Sequence, residues 1–130
     1  MARRNVSSGS PFEPRYGFSR AVRLGDRVLV AGTAPIWVDD FVDPDPKTQA
    51  ARCIEIMLDA LAEAGGSRED VVRTRMYITD PAHGDAVGEA HGEVFSEIRP
   101  AATMVVVGGL LDPRWHVEME LEAVLNSDAI

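Results

Sequence analysis

The sequence predicts one α+β domain in which two helices cover one face of a mixed β-sheet. Three observations lead to this fold class. A chain of 130 residues has the length of a single domain, its hydrophobic fraction of 45% is ordinary for a globular protein, and strand and helix patterns follow one another in the order β-β-α-β-α-β-β. Strands joined through helices become parallel neighbours by right-handed crossovers.

The N-terminal part of the chain is predicted to hold an arm and a β-hairpin. Residues 1–17 contain the stretch SSGS and two prolines, which favour an irregular N-terminal arm. Residues 18–24 and 27–31 have the composition of strands, and Gly25-Asp26 between them is a strong signal for a two-residue hairpin turn. A single folded domain is therefore expected to span residues 18–130.

The remaining elements are predicted from hydrophobic spacing and from turn residues. These patterns predict helices over residues 47–64 and 85–98 and strands over residues 70–79, 102–108 and 115–125. Asp45 can accept hydrogen bonds from the free backbone N–H groups of the first helix, and Pro46 suits its first turn. Gly65-Gly66 ends this helix, because glycine readily adopts the left-handed conformation of a helix C-terminus.

One face of the predicted sheet mixes charged and apolar side chains. The third strand is predicted to present Arg73, Arg75, Tyr77 and Thr79 towards this face. Its other side chains, which are predicted to face the helices, are Val72, Thr74, Met76 and Ile78. In the last strand the side chains on the charged face are Glu118, Glu120 and Glu122. Those that face the helices are Val117, Met119, Leu121 and Ala123. Two helices can cover only the apolar set, so we expect other copies of the chain to cover the charged face in a symmetric oligomer. A solvated face with salt bridges is the alternative, but it leaves the apolar strand 104–107 unexplained.

Composition and charge exclude several classes of function. The formal net charge of −8 disfavours non-specific binding of nucleic acid, because counterion release requires clustered lysines and arginines. Cys53 is the one cysteine, so an internal disulfide is excluded, and its place in the first helix predicts a buried thiol. The sequence has no apolar stretch long enough to span a membrane, and its N-terminus lacks the apolar segment of a signal peptide. We therefore expect a soluble, cytoplasmic protein.

Three residues are candidates for chemistry, and each has a purely structural alternative. Glu120 belongs to a set of alternating carboxylates and could act on a ligand or form a surface salt bridge. Arg99, just before Pro100, could hold an anion or cap the C-terminus of the preceding helix. His91 is expected to face the side opposite to the apolar stripe of its helix, where it could line a cleft or lie exposed. The three histidines lack metal-binding spacing, so no metal site is predicted.

Five stretches of the chain, taken in order, resemble one known family. They are YGFSRAVRLGDRVLVAGTAP, DVVRTRMYITD, HGEVF, RPAATMVVV and VEMELEAVL. Together they are similar to the Rid family (RidA/YjgF), which often carries the label endoribonuclease L-PSP, and the similarity covers almost the whole chain after the arm. The resemblance implies a chorismate-mutase-like fold and a homotrimer, in which the sheets face a central barrel and ligands bind in clefts between subunits.

The resemblance also implies an activity and the residues that carry it. The best-known reaction of the family is the hydrolysis of reactive enamines and imines, such as 2-aminoacrylate, to 2-keto acids and ammonia, without a metal or cofactor. The glutamate that holds the attacking water corresponds to Glu120. The aromatic residue that lines the cleft corresponds to Phe18, where active members tend to have a tyrosine. The arginine that binds the substrate carboxylate corresponds to Ala102, which is followed by Thr103.

Ala102 is the main departure from the family pattern, and it leaves two functions open. A methyl group cannot replace two charge-assisted hydrogen bonds of about 1.5–3 kcal/mol each, a loss that corresponds to about 10²–10⁴ in transition-state binding. The resemblance is therefore to subgroups that lack this arginine. One function is a deaminase-type hydrolase for a substrate other than 2-aminoacrylate, with its anion held by Arg99, Arg75 or Arg20. The alternative is a non-catalytic homotrimer that binds small molecules or acts as a chaperone.

The predicted site and partners follow from this comparison. Glu120 is the predicted catalytic residue, and the predicted ligand-binding residues are Phe18, Arg20, Arg75, His91, Arg99, Ala102 and Thr103. The expected partners are two further copies of the chain and a small-molecule ligand, with neither cofactor, nucleic acid nor membrane. Cleavage of RNA, which the family label names, has no support from the net charge of −8 or from a histidine pair.

Overall fold

The computed structural model describes residues 1–125 of the chain. In this range the strands are β1 (Arg3–Val6), β2 (Ala21–Leu24), β3 (Arg27–Thr33), β4 (Val71–Ile78), β5 (Ala101–Val106) and β6 (Val117–Val124), and the α-helices are α1 (Phe12–Tyr16), α2 (Pro46–Glu63) and α3 (Gly84–Phe95). Short 3-10 turns at Arg68–Asp70 and Pro81–His83 precede β4 and α3. Residues 126–130 of the predicted domain lie outside the described residues.

The described strands form one mixed sheet in the order β1-β2-β3-β6-β4-β5. Neighbouring strands pair antiparallel except β4 and β5, which run parallel and are connected through α3. Helix α2 packs on β3 and β6, and α3 packs beside α2, so the two long helices lie on the same face of the sheet. The predicted α+β class, with a mixed sheet and two helices on one face, is confirmed.

The core lies between this sheet and the two long helices. Strand β6 alternates as predicted, and its buried side chains are Val117, Met119, Leu121 and Ala123. Helix α2 buries a stripe that includes Cys53, Ile54, Met57 and Leu61. Burial raises the pKa of the Cys53 thiol well above its ordinary value, so this side chain stays protonated and inert, as its place in the helix predicts.

The N-terminal segment is ordered, and the prediction that residues 1–17 are irregular is wrong for β1 and α1. Strand β1 pairs antiparallel with β2, from Arg3 opposite Leu24 to Val6 opposite Ala21, and Val6 is buried in the core. The stretch RRNV has no alternation of apolar and polar residues. It forms a strand nevertheless, because an edge strand is stabilised mainly by backbone hydrogen bonds to its neighbour. The sequence pattern therefore gave no strand signal at this position.

Strand β4 contains a register shift that changes which valine faces the core. Val71 is 4% exposed and Val72 is 40% exposed, and the pairing with β6 shifts between Val71 and Arg73. The prediction that Val72 faces the helices is therefore wrong, because the bulge places two residues of β4 where strict alternation allows one. From Arg73 onwards the predicted alternation holds, with Thr74 buried on the helix side.

Gln49 joins two loops beneath the N-terminal end of α2. Its fully buried amide donates to the backbone carbonyl oxygens of Asp43 (2.7 Å) and Arg114 (2.9 Å). Its side-chain oxygen accepts a hydrogen bond from the backbone N–H of His116 at 2.7 Å. One buried side chain thus satisfies three backbone groups of irregular segments and fixes the start of β6 against α2.

Candidate functional site

Glu120 projects from the middle of β6 and is held by two side chains of β4. Its Oε1 atom accepts a hydrogen bond from the hydroxyl of Tyr77 and lies 3.9 Å from Nη1 of Arg75. Arg75 and Glu120 are direct partners in the antiparallel register, which explains why their side chains share one face. Because both contacts fall on Oε1, the other oxygen makes no hydrogen bond within residues 1–125 and is available to a ligand or a water molecule.

The hydrogen bond between Tyr77 and Glu120 fixes the protonation state of the phenol. Donation to the carboxylate raises the pKa of Tyr77 above its ordinary value, since loss of the proton would place two anions in contact. Tyr77 therefore remains a donor at neutral pH and orients the carboxylate. Arg75 also lies 3.6 Å from Oε1 of Glu122, so its guanidinium is shared between two carboxylates.

Glu120 lines an open depression of about 720 Å³ on this face of the sheet. The segment between α1 and β2 also lines this depression, and Phe18 in this segment is 43% exposed. Arg75 also contributes to the lining, and Arg3 and Asn5 of β1 line its rim. The structure thus brings together the predicted catalytic glutamate, the predicted aromatic residue and one of the three predicted cations.

Arg20 lies near this depression but is committed elsewhere. Its guanidinium donates to the backbone carbonyl oxygen of Gly32, and its Nε atom is buried without a hydrogen-bond partner in residues 1–125. Burial lowers the pKa of Arg20, an effect that the nearby carboxylates Glu13 and Glu118 oppose. Burial likewise raises the pKa of Glu118, while Arg20 lowers it. This pair is a partly buried charge network beside the depression.

Ala102 lies on the opposite face of the sheet from Glu120. It is the direct parallel partner of Thr74, whose side chain is completely buried on the helix side. Met104, two residues further along β5, packs against the core on that same side. Thr103 faces the other way, since its hydroxyl accepts a hydrogen bond from Nη2 of Arg73 at 3.3 Å. Successive residues of β5 therefore serve different faces of the sheet.

His91 lies beside Ala102 on the helix side. Its Nε2 atom is 2.8 Å from the hydroxyl oxygen of Thr74, and its ring packs against Phe95 with a centroid distance of 4.7 Å. The expectation that His91 faces away from the buried side of α3 is therefore wrong, because the ring turns towards the sheet to pair with the otherwise isolated hydroxyl of Thr74. Burial lowers the pKa of His91, so the ring is neutral at pH 7.

Arg99 adopts the structural alternative considered for it. It has a left-handed backbone with φ of 50° directly after α3, and its backbone N–H donates to the carbonyl oxygen of Phe95 at 2.8 Å. Its Nε atom donates to the carbonyl oxygen of Ser96 at 3.2 Å. Both contacts cap the C-terminal end of α3, where a positive charge is also favoured by the helix dipole.

Five of the predicted residues, with Tyr77 and Thr74 beside them, form two sets on opposite faces of the sheet, while Arg20, Arg99 and Thr103 belong to neither set. We call the first set the carboxylate face, which consists of Glu120, Tyr77, Arg75 and Phe18. We call the second set the alanine edge, which consists of Ala102, His91 and Thr74. Tyr77 was not predicted as a site residue, although the alternation of β4 had placed it on the same face as Glu120, so the signal was present in the sequence.

The described part of the chain contains no group of three or more histidine, cysteine, aspartate or glutamate side chains arranged to hold a metal ion. Between residues 1 and 125, no helix is both long and apolar enough to cross a membrane.

The fold is that of a class of small α+β proteins of the YjgF type. A crystal structure of a member of the YjgF/YER057c/UK114 family from Mycobacterium tuberculosis superposes with a TM-score of 0.88 and 42% identity, covering 95% of this chain and all of the other. The sequence model of the Endoribonuclease L-PSP family matches residues 9–125, and the chain belongs to this family. The predicted membership of the Rid/YjgF family is confirmed.

Two further relatives cover most of the chain. An uncharacterised protein of Streptomyces coelicolor is 44% identical over 121 residues, which represent 92% of this chain and 90% of the relative. The 3-aminoacrylate deaminase RutC of Acinetobacter baylyi is 30% identical over 116 residues, which represent 88% of this chain and 90% of the relative. The chain is thus similar along almost its full length to a protein named as a deaminase.

Proposed function

We propose that this protein is a Rid-type hydrolase that converts an enamine or imine to a carbonyl compound and ammonia, with Glu120 as the catalytic base. The observation that carries the proposal is the carboxylate of Glu120, which accepts a hydrogen bond from the Tyr77 hydroxyl through Oε1 and belongs to a residue that lines the depression. A carboxylate held in this way can position a water molecule and accept its proton. The 30% identity to a 3-aminoacrylate deaminase supports the same reaction class.

The proposed chemistry needs only this carboxylate and one water molecule. An enamine first takes up a proton at carbon and loses one from nitrogen, which gives the imine. The oxygen of the water held by Glu120 then forms a bond to the imine carbon, while one proton of the water passes to the carboxylate and from there to nitrogen, giving a carbinolamine. The same carboxylate takes the proton of the new hydroxyl group and delivers it to nitrogen, so that the carbon–oxygen double bond forms as the carbon–nitrogen bond breaks, and one imine and one water yield one carbonyl compound and one ammonia. The hydroxyl of Tyr77 stabilises the charged form of the carboxylate between these steps.

We further propose that the complete site is a cleft between copies of the chain in a homotrimer. Glu120 and Ala102 occupy opposite faces of the same sheet, so a single ligand can touch both only if they come from different copies. Strand β5 also lies at the edge of the sheet, with Val105 41% and Val106 53% exposed in the isolated chain. Apolar side chains on an exposed edge strand favour coverage by another subunit.

A second candidate function is that of a small-molecule binding protein without catalysis, and Ala102 is the residue that favours it. The residue is exposed on the edge strand, and its methyl group offers no hydrogen bond to a substrate. If the missing contact abolished productive orientation, the carboxylate face would still form a pocket for a ligand. The dependence of hydrolysis on Glu120 distinguishes the two functions.

The experiment compares Glu120→Gln with Glu122→Gln. The two carboxylates lie on the same strand and the same face, and Arg75 contacts both, so Glu122→Gln is a matched control. A panel of short imines, both carboxylated and uncharged, would be generated in place, and release of ammonia would be measured. We expect Glu120→Gln to remove about 10²–10⁴ of the rate, the usual contribution of a general base, and Glu122→Gln to retain most of it. Equal rates for wild type and Glu120→Gln would refute the catalytic proposal.

The oligomeric state is tested separately by light scattering. We expect a mass three times that of the 14.1 kDa chain. A stable monomer at micromolar concentration would refute the intersubunit cleft, because the two walls of the proposed site would then never meet.

A further inference from the structure

We infer that the alanine edge of the cleft binds an uncharged, hydrogen-bonding group of the ligand through His91, and that the substrate class is therefore an imine or enamine whose neighbouring carboxyl group is masked as an amide. The inference rests on the proposed function, since it assigns the second wall of the same cleft. It concerns which ligands are accepted rather than how they are hydrolysed.

The first argument is the position of His91 relative to Ala102. Ala102 pairs directly with Thr74 in the parallel register, and both side chains point to the helix side. Nε2 of His91 lies 2.8 Å from the Thr74 hydroxyl, so the ring stands next to the alanine methyl group. A side chain longer than alanine at position 102 would extend into the space in front of the ring. With alanine there, the imidazole is a partly exposed polar group that this wall can offer to a ligand, since the Thr74 hydroxyl is buried and already pairs with it.

The second argument is that His91 is built to contact a neutral group. Its ring is half-buried against Phe95, and the Nε2 atom is held by Thr74. The second ring nitrogen, Nδ1, makes no hydrogen bond to residues 1–125, so it is free to pair with a ligand. Because burial keeps the imidazole neutral at pH 7, one nitrogen donates and the other accepts. A neutral ring of this kind can hydrogen-bond an amide but cannot neutralise a carboxylate.

The third argument is that the nearby cations are already engaged. Arg99 caps α3 through both its backbone and its Nε atom. Arg75 lies on the other face and is shared between Glu120 and Glu122. Arg20 donates to the carbonyl oxygen of Gly32. A carboxylate at the alanine edge would face an opposite wall on which Arg75 is outnumbered by Glu120 and Glu122, so no surplus positive charge would offset its loss of water, which disfavours its binding.

The experiment measures the affinity of two matched probes, 2-oxobutanoate and 2-oxobutanamide, which differ only in the charge of the terminal group. Titration calorimetry or ligand-observed NMR with the intact oligomer would give both dissociation constants. We expect the amide to bind at least tenfold more tightly than the acid, and we expect His91→Ala to remove that preference. His91→Gln retains a hydrogen-bonding amide in the place of the ring and should preserve part of the preference, which separates lost binding from lost folding.

His83→Ala is the matched control, because His83 is also a partly exposed histidine next to α3 but packs on His116 instead. It should leave both dissociation constants unchanged. Stronger binding of the acid, or failure of both probes to bind at millimolar concentration, would overturn the inference. Persistence of the amide preference in His91→Ala would overturn it as well. The preference should survive in Glu120→Gln, so loss of hydrolysis and loss of selectivity are recognised as separate failures.

Discussion

Substitution of Ala102 by arginine is expected to convert the protein into a hydrolase for short 2-imino acids. Ala102 is exposed on the edge strand, and its direct partner Thr74 is buried. An arginine side chain at position 102 can therefore extend away from the sheet without displacing core residues. Exposed substitutions of this kind usually change the free energy of unfolding by about 0.5 kcal/mol or less. The guanidinium would extend past the ring of His91 towards a ligand bound in the intersubunit cleft.

The magnitude follows from the hydrogen bonds gained and the side-chain entropy lost. Two charge-assisted hydrogen bonds to a carboxylate contribute about 1.5–3 kcal/mol each. Ordering an arginine side chain costs about 2 kcal/mol of rotamer entropy, and the exposure of position 102 keeps water close to the new ion pair. The net gain is about 1–4 kcal/mol, which corresponds to about fivefold to 10³-fold in kcat/KM. The wild-type protein should therefore hydrolyse 2-iminobutanoate poorly.

The assay couples an amino-acid oxidase, which forms 2-iminobutanoate in place, to detection of the 2-keto acid or of the semicarbazone that competes with it. Ala101→Arg is the matched control, because Ala101 pairs with Arg73 and points to the other face of β5. The gain in Ala102→Arg should disappear when Glu120→Gln is added. An Ala102→Arg variant that keeps the oligomeric mass and melting temperature of the wild type without any gain would refute the assignment of this position. Strong wild-type activity that survives mutation of Arg99, Arg75 and Arg20 would do so too.

Three further outcomes are expected. Purified protein should contain no stoichiometric zinc or iron after dialysis, as measured by elemental analysis, because residues 1–125 contain no side-chain cluster suited to a metal ion; bound metal held by protein side chains would contradict this. Gln49→Leu should lower the free energy of unfolding by about 1–3 kcal/mol in denaturant titrations at fixed protein concentration, since it removes the side-chain partner of three partly buried backbone groups. An NMR titration should give His91 a pKa below its ordinary value, because burial disfavours the cation. The free energy of unfolding contributed by the neutral ring should be complete above pH 6.5 and should decrease as the pH falls below that value. His91→Gln should remove this part of the pH dependence of stability.

The sequence alone was sufficient to predict the elements that depend on residues close together in the chain. Helix α2 was predicted within one residue at each end, because Asp45 accepts a hydrogen bond from the Thr48 N–H at 2.9 Å and Gly65 ends the helix with φ of 98°. The alternation of β6 directly gave its buried face, since a strand with one face on a core repeats every second residue. These features depend on neighbours in the sequence, which a pattern can record.

The features that were missed depend on contacts between distant segments. Strand β1 exists because its backbone pairs with β2, although its own side chains carry no strand pattern. The exposure of Val72 results from a bulge against β6, some fifty residues away in the sequence, and valine itself fits either face. His91 turns towards the sheet because the buried hydroxyl of Thr74 requires a hydrogen-bond partner. The spacing of apolar residues in α3 gives no information about this contact.

The alternation of β5 is also the reason why we propose a site that two copies of the chain complete. Ala102 and Thr103 are adjacent in sequence, yet one points to the helices and the other to the charged face, so the strand forms part of two different walls. In an assembly that joins these walls, the hydrogen bonds that orient Glu120 and those that orient His91 share no residue. We therefore expect that, in the proposed cleft, substitutions in the first network would alter water activation and substitutions at Ala102 or His91 would alter the choice of ligand.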